Sequence, residues 1–259
     1  MFNWLKKSLL SLIFILLVVL LLVGNIFLTI SLSLMYGNVR TNLKPYLTDL
    51  VEEKFAPNQI NKFYDAGIDF CRGGVRDKFV IQTVLFPSDK YASPELSLTC
   101  DELSRYTNDT VINAMLEKAI YFNYFGQQDL ECSWFSCVQT FTENPLVLLS
   151  KQSKDFFVTK FFIFFFLSLV LLVLTFFLFE NKKNFFIYLG LLLIIGSLSP
   201  LLISKIALFL NSTDAVFLKL FSTFFSQGKK LFVILLALGL VSLGFGIISE
   251  EGCEKGERG

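Results

Sequence analysis

The chain contains five cysteines, which are the residues most able to take part in covalent or redox chemistry. Cys71, Cys100, Cys132 and Cys137 lie in one polar segment, and Cys253 lies near the C-terminal end. An even number of cysteines in one segment is typical of disulfide bonds formed in an oxidising compartment. Four cysteines allow three pairings. The short separation of Cys132 from Cys137 favours a Cys132–Cys137 bond together with a Cys71–Cys100 bond.

The same cysteines could instead serve redox chemistry or bind a metal. Cys132 and Cys137 form a C-x-x-x-x-C pair, whereas thiol–disulfide exchange commonly uses C-x-x-C. The chain has no histidine, so the commonest general base and the commonest metal ligand are missing. It also lacks a P-loop, a G-x-S-x-G motif and an H-E-x-x-H motif. We therefore expect structural disulfides, with no cofactor, no metal and no catalytic residue.

Four long apolar segments flank the cysteine-containing segment and must position it. They are Ser8–Met35, Phe161–Phe179, Phe185–Ser204 and Leu231–Ser249. About 20 apolar residues suffice to cross the hydrocarbon core of a bilayer. The composition, 54% hydrophobic and 17% charged, excludes a nucleic-acid-binding protein with a basic surface. We expect an all-α membrane protein, a four-helix transmembrane bundle. A disulfide-stapled, mainly helical extracytoplasmic domain with minor β-structure is inserted between its first two spans.

Basic residues beside the short connections predict the orientation of the spans. The pairs Lys6–Lys7 and Lys182–Lys183 fall on the same side of the membrane, and basic loops are typically cytoplasmic. The pair Lys229–Lys230 opposes this assignment because it falls at the outer end of the last span. Two basic sites against one predict a multi-pass protein of the cell membrane with both termini inside.

The spans divide the chain into consecutive regions. Residues 1–36 hold the cytoplasmic N-terminus and a retained signal anchor, since the apolar run is longer than that of a cleaved signal peptide. Residues 37–159 form the extracytoplasmic domain, which is net negative. Residues 160–249 hold the other three spans, with an amphipathic helix at about 213–226 that we expect to lie in the membrane interface. Residues 250–259 form a cytoplasmic tail.

Sequence patterns predict several elements in the extracytoplasmic domain. Leucines at helical spacing in Asn38–Phe55 indicate that the first span continues outward as an amphipathic helix, which Pro45 should kink or restart. Lys78–Phe86 is rich in β-branched residues and predicts a strand. Asp109–Phe125 predicts an amphipathic helix. Asn144–Pro145 predicts the start of a helix that continues into the second span.

Small and polar residues within the spans predict helix contacts. Asn25 is the strongly polar side chain near the middle of the first span, and we expect it to form a hydrogen bond with a neighbouring helix. Gly239, Ser242 and Gly246 place small residues along the fourth span, a pattern that lets helix backbones approach closely. We expect these residues to pack within one bundle, and a homo-oligomer formed through the glycine face is the alternative.

These observations predict a non-enzymatic integral membrane protein whose rigid outer domain mediates protein–protein interaction or the assembly of a membrane complex. Its expected partners are the lipid bilayer and another membrane or surface protein, with no nucleic acid. Two possible glycosylation sites, Asn108 and Asn211, fall on the predicted outer side. One alternative is a transport or channel subunit, although the spans lack internal charge. The other is a membrane thiol–disulfide oxidoreductase that uses Cys132 and Cys137.

Overall fold

The structure is a computed structural model in which the described part of the chain is mostly helical. The described residues are 2–54, 57–74, 78–82, 95–105, 108–126, 149–211 and 224–254. They divide into two compact units. The first comprises Met1–Leu34 and Lys154–Gly259, and we call it the helical unit. The second comprises Met35–Ser153, and we call it the inserted unit.

Four long helices carry the apolar segments of the chain. They are α1 (Phe2–Ser33), α6 (Lys151–Leu178), α7 (Lys182–Asn211) and α8 (Gly228–Glu254). Within them, Lys6–Ser33, Lys151–Leu178, Lys182–Ile203 and Gly228–Ile248 are long and apolar enough to cross a membrane. The prediction of four such helices is therefore confirmed, and each helix begins before its apolar run.

The outer surface of the helical unit is apolar. Phe166 in α6 is 60% exposed, Phe177 in α6 is 74% exposed, and Ile248 in α8 is 72% exposed. Contiguous apolar surface of this kind would be costly in water, whereas lipid tails can cover it without cost. The surface is consistent with a multi-pass membrane protein.

Side chains between the helices form a small core of the helical unit. Ile13 and Leu17 of α1 pack against Leu192 of α7, and Leu171 of α6 packs against this cluster. The most extensive helix pair is α7 with α8, and α1 packs on α7. The helix α7 thus packs against both α1 and α8.

The inserted unit contains four helices and a two-stranded hairpin among its described residues. Its elements are α2 (Tyr36–Lys54), α3 (Pro57–Arg72), β1 (Lys78–Gln82), β2 (Glu95–Thr99), α4 (Cys100–Arg105) and α5 (Asn108–Phe125). The strands are antiparallel, and Lys78 pairs with Thr99 at one end of the ladder. Leu98, Leu103 and Val111 form the core of the unit, with Phe79 packed against them.

One predicted boundary in the inserted unit is wrong. The first span does not continue into the next helix, because α1 ends at Ser33 and α2 begins at Tyr36. The helix α2 includes Pro45 without a new start there, and the predicted kink stays a prediction. The strand β1 ends at Gln82, and the rest of the predicted strand lies outside the described residues.

The predicted helix start at Asn144–Pro145 lies outside the described residues, and the helix that carries the second apolar segment has its own start further along the chain. It begins at Lys151, and the hydroxyl oxygen of Ser150 accepts a hydrogen bond from the Ser153 amide at 3.2 Å. This is the geometry of an N-cap, in which a serine side chain satisfies an amide of the first turn that has no partner within the helix. Ser150 therefore sets the start of α6.

The predicted amphipathic helix at about 213–226 falls almost entirely outside the described residues and stays a prediction. Residues 212–223 lie outside the described residues, and residues 224–227 form a turn. The Gln227 amide donates to the Ser33 hydroxyl at 3.2 Å, and Phe224 is only 5% exposed. Because the Gln227 amide bonds to a side chain of α1, it does not continue a helical hydrogen-bond ladder at this point.

Candidate interaction domain and helix contacts

A disulfide between Cys71 and Cys100 joins two elements of the inserted unit. Cys71 lies in the last turn of α3 and Cys100 begins α4, with a Cα–Cα distance of 5.4 Å. Cys71 packs against the core formed around Leu98 and Leu103, so the disulfide lies beside the core of the inserted unit. The predicted Cys71–Cys100 pairing is confirmed. Cys132 and Cys137 lie outside the described residues, and their pairing stays a prediction.

The junction between β2 and α4 is fixed by a reciprocal pair of hydrogen bonds. The Glu102 amide donates to the Thr99 hydroxyl at 3.2 Å, and the Thr99 amide donates to the Glu102 carboxylate at 2.9 Å. This arrangement is a capping box, which satisfies the first amides of a helix. It holds Cys100 in place, because the cysteine lies between the two residues that form the box.

Lys118 of α5 connects this junction to the rest of the unit. Its ammonium group donates to the two Glu102 carboxylate oxygens at 2.8 and 3.1 Å and to the Ser97 carbonyl oxygen at 2.9 Å. The hydrogen bond from Lys118, followed by that from the Thr99 amide, lowers the pKa of Glu102 below its ordinary value. One lysine thus ties α5 to both β2 and α4.

A second charge cluster joins α2 to α5. The Glu117 carboxylate accepts from Arg40 at 2.6 Å and from Lys44 at 2.9 Å. The hydrogen bonds that Glu117 accepts from Arg40 and Lys44 lower its pKa, and the bond that Arg40 donates to Glu117 raises the pKa of Arg40. The cluster borders an open cavity of about 370 Å³, whose lining residues are Gly37, Arg40, Thr41, Lys44, Pro45 and Glu117. Two cations face one carboxylate, so the cavity is net positive.

In the helical unit, Asn25 of α1 meets a proline-containing turn of α7. Asn25 is 6% exposed, and its side-chain amide donates to the Gly196 carbonyl oxygen at 2.9 Å. Pro200, four residues further along α7, has no N–H to offer that carbonyl group. The Ser199 hydroxyl also donates to it, at 3.2 Å. Asn25 and Ser199 therefore donate to the carbonyl group that the proline leaves without its intrahelical partner.

Small residues form the contact between α7 and α8. A Cβ atom added to Gly190 would lie 2.8 Å from the Gly239 carbonyl oxygen, and one added to Gly239 would lie 3.1 Å from the Gly190 carbonyl oxygen. A Cβ atom added to Gly246 would lie 3.1 Å from the Ile187 amide nitrogen. Ser242 donates its hydroxyl to a backbone carbonyl of α7 at 3.0 Å. The structure thus brings Gly239, Ser242 and Gly246 together on one face of α8 against α7.

The two possible glycosylation sites lie at helix ends. Asn108 begins α5 and Asn211 ends α7. Within the described ranges, no group of three or more histidine, cysteine, aspartate or glutamate side chains could hold a metal ion. The Thr99-x-x-Glu102 spacing is a capping-box signature that marks the start of α4 in the sequence.

Comparison with known proteins gives no family for this chain. No family model matches it, and neither a curated protein nor a solved structure does. The proposed function therefore rests on the geometry of the two units alone.

Proposed function

We propose that the chain is a non-enzymatic integral membrane protein whose extracytoplasmic domain, residues 37–159, binds another membrane or surface protein or assembles a membrane complex. One observation carries the proposal. A unit with its own core and its own disulfide is enclosed in the sequence between two helices that are apolar enough to span a membrane. A stapled polar unit anchored at each end is suited to presenting a surface to a partner.

Two further features support the proposed orientation. Disulfides form and persist in oxidising compartments, so the Cys71–Cys100 bond favours an extracytoplasmic inserted unit. Lys6 of α1 pairs with Glu180, which lies in the turn between α6 and α7. The pair puts the N-terminal end of α1 and that turn at one end of the helical unit. This is the arrangement that a cytoplasmic N-terminus beside the basic Lys182–Lys183 turn requires.

The charged side chains of the inserted unit also favour binding over catalysis. Glu102 is paired with Lys118, and Glu117 is paired with Arg40 and Lys44. Both carboxylates have lowered pKa values, so they stay ionised near neutral pH and are poor general acids or bases there. Their geometry joins α5 to α2 and to the β2–α4 junction, which is a structural role.

Photo-crosslinking in native membranes tests the proposal. A photoreactive amino acid is introduced at Lys62 or Asp65, two exposed positions of α3, and in a control at Leu103, which is 1% exposed. We expect a discrete protein adduct from an exposed position, reproducibly identified by mass spectrometry, and none from the core position. The absence of any partner would overturn the proposal. If quinone-dependent oxidation of a test dithiol were also lost in Cys132→Ser, the chain would be an oxidoreductase.

Labelling with a membrane-impermeant thiol reagent tests the orientation separately. Cysteines introduced at Lys62 and at Asn181 are compared in intact and in permeabilised cells. We expect Lys62→Cys to react in intact cells and Asn181→Cys to react only after permeabilisation. Labelling of Asn181→Cys from outside intact cells would contradict the proposed topology, whatever the result of the crosslinking.

A further inference from the structure

Aromatic rings gather where α2 begins and α5 ends. The Tyr36 ring lies 5.3 Å from that of Tyr124 and 5.4 Å from that of Phe125, measured between centroids, and the Tyr121 ring lies 4.7 Å from that of Phe125. Tyr121 is 56% exposed and Phe122 is 41% exposed. We call Tyr36, Tyr121, Phe122, Tyr124 and Phe125 the aromatic patch. Part of it is core, and part of it faces outward.

The direction of the helices places the aromatic patch at one end of the inserted unit. Tyr36 of α2 meets Tyr124 of α5, and Lys44 of α2, two turns further on, meets Glu117 of α5. The two helices are therefore antiparallel, with the C-terminal end of α5 beside the N-terminal end of α2. That end is where the chain enters the unit from α1.

The chain connection limits how far this end can lie from the apolar helix. Tyr36 follows Ser33, the last residue of α1, by three residues. An extended chain covers at most about 3.6 Å per residue, so three residues span no more than about 11 Å. The headgroup region on each side of a bilayer is several ångströms thick, since the full bilayer exceeds its hydrocarbon core by about 10–15 Å. If α1 spans the membrane with Ser33 at the edge of the hydrocarbon core, Tyr36 lies at headgroup depth or just above it.

We propose that the aromatic patch is a membrane-interface contact, and that its ligand is the lipid headgroup layer of the membrane that α1 crosses. The inference rests on the proposed function only through the placement of α1 in that membrane. Tyrosine suits this level, because its ring enters the apolar boundary while its hydroxyl stays hydrated. The net positive cavity beside Arg40 and Lys44, one and two turns along α2, adds attraction for lipid phosphates.

Fluorine NMR of the full chain in lipid nanodiscs tests the inference. Trifluoromethyl-phenylalanine is placed at one of three exposed positions: Tyr121 in the aromatic patch, Lys62 on α3, or Val170 on α6. Relaxation is measured with a spin label on the lipid headgroup and, separately, with a soluble paramagnetic chelate. We expect a several-fold larger enhancement from the headgroup label at Tyr121 than at Lys62. Lys62 should respond mainly to the soluble chelate.

The three positions separate failure of this inference from failure of the proposed function. If the Tyr121 position behaves like the Lys62 position while the Val170 position stays shielded from the soluble chelate, the lipid contact is refuted and the membrane placement stands. If the Val170 position is open to the chelate, the membrane placement itself fails. Shielding of the Tyr121 position from both probes would mean that a protein, including a second copy of this chain, covers the patch, and would also overturn the inference.

A second variant checks that the response comes from the aromatic patch. Phe122→Asp puts a charge on an exposed ring position of the patch without removing a core side chain. We expect it to reduce the headgroup-dependent enhancement at Tyr121 by at least half, because a carboxylate is repelled by lipid phosphates. An unchanged enhancement in folded protein would contradict a specific contact through the patch.

Discussion

Replacing Asn25 with leucine removes the donor that α1 provides to the proline-containing turn of α7. The Asn25 amide lies 2.9 Å from the Gly196 carbonyl oxygen, and Pro200 leaves that carbonyl without its usual intrahelical donor. Hydrogen bonds between membrane helices contribute about 0.6 kcal/mol on average and about 1.7 kcal/mol at most. Since the Ser199 hydroxyl remains as a second donor at 3.2 Å, we expect Asn25→Leu to cost about 1 kcal/mol.

A double-mutant cycle with Pro200→Ala isolates the physical cause. Alanine at position 200 restores the N–H that an α-helix directs to the carbonyl four residues earlier, which is that of Gly196. The donation from Asn25 is then redundant, and Asn25→Leu should cost much less in the Pro200→Ala background. We expect a coupling free energy of about 1 kcal/mol between the two positions, since both substitutions act on one carbonyl group.

Reversible unfolding in mixed detergent micelles, followed by circular dichroism, measures the cycle. Thr175→Val is the matched control, because Thr175 is 0% exposed and donates to the Leu171 carbonyl of its own helix at 2.7 Å. It should be insensitive to Pro200→Ala. If the effects of Asn25→Leu and Pro200→Ala add to within about 0.3 kcal/mol, the proposed compensation is refuted.

Three other features yield predictions. Cys71→Ser should destabilise the inserted unit by about 3.6 kcal/mol, the loop-closure value for a sequence separation of 29, and peptide mapping without reductant should recover the Cys71–Cys100 pair. The lowered pKa of Glu102 implies a stabilisation present above pH about 4.3 and lost as pH falls through the folded-state pKa, so the hydrogen-exchange protection factors of α4 should fall on acidification in wild type and change less in Glu102→Gln. Gly239→Ala should lower the thermal stability of the helical unit by about 1–3 kcal/mol, whereas Gly244→Ala, with open space around it, should not.

The four long helices could be predicted because their signal is local. A run of about 20 apolar residues identifies a spanning helix whatever it packs against. The ends of these helices depend on finer contacts. Ser150 caps α6 at Lys151, whereas the other capping signal, Asn144–Pro145, lies outside the described residues. The sequence alone does not say which capping residue begins the helix that carries the apolar segment.

Contacts between distant residues could not be predicted from a single sequence. Arg40 and Glu117 are far apart in the chain, and nothing local marks either as the partner of the other. The strand Glu95–Thr99, which pairs with β1, lacks the adjacent β-branched residues that mark β1 in the sequence. The Cys71–Cys100 bond was the exception. Four cysteines allow only three pairings, and the short sequence separation of Cys132 from Cys137 favours the one that pairs Cys71 with Cys100.

The polar side chains of the long helices bear on the choice between interaction and transport. Asn25 donates across to α7, while Thr29 and Ser168 donate to carbonyl groups of their own helices at 2.7 and 2.8 Å. A transport pathway needs polar or ionisable groups that face a solute, commonly near the middle of the membrane. These groups bond to neighbouring helices or to backbone. Among the described residues, the ion pairs lie at the turn near Glu180, in the first turn of α6 between Lys154 and Asp155, and in the inserted unit. The chemistry available for recognition is therefore concentrated in the inserted unit, and for this reason we place partner binding there ahead of transport through the helices.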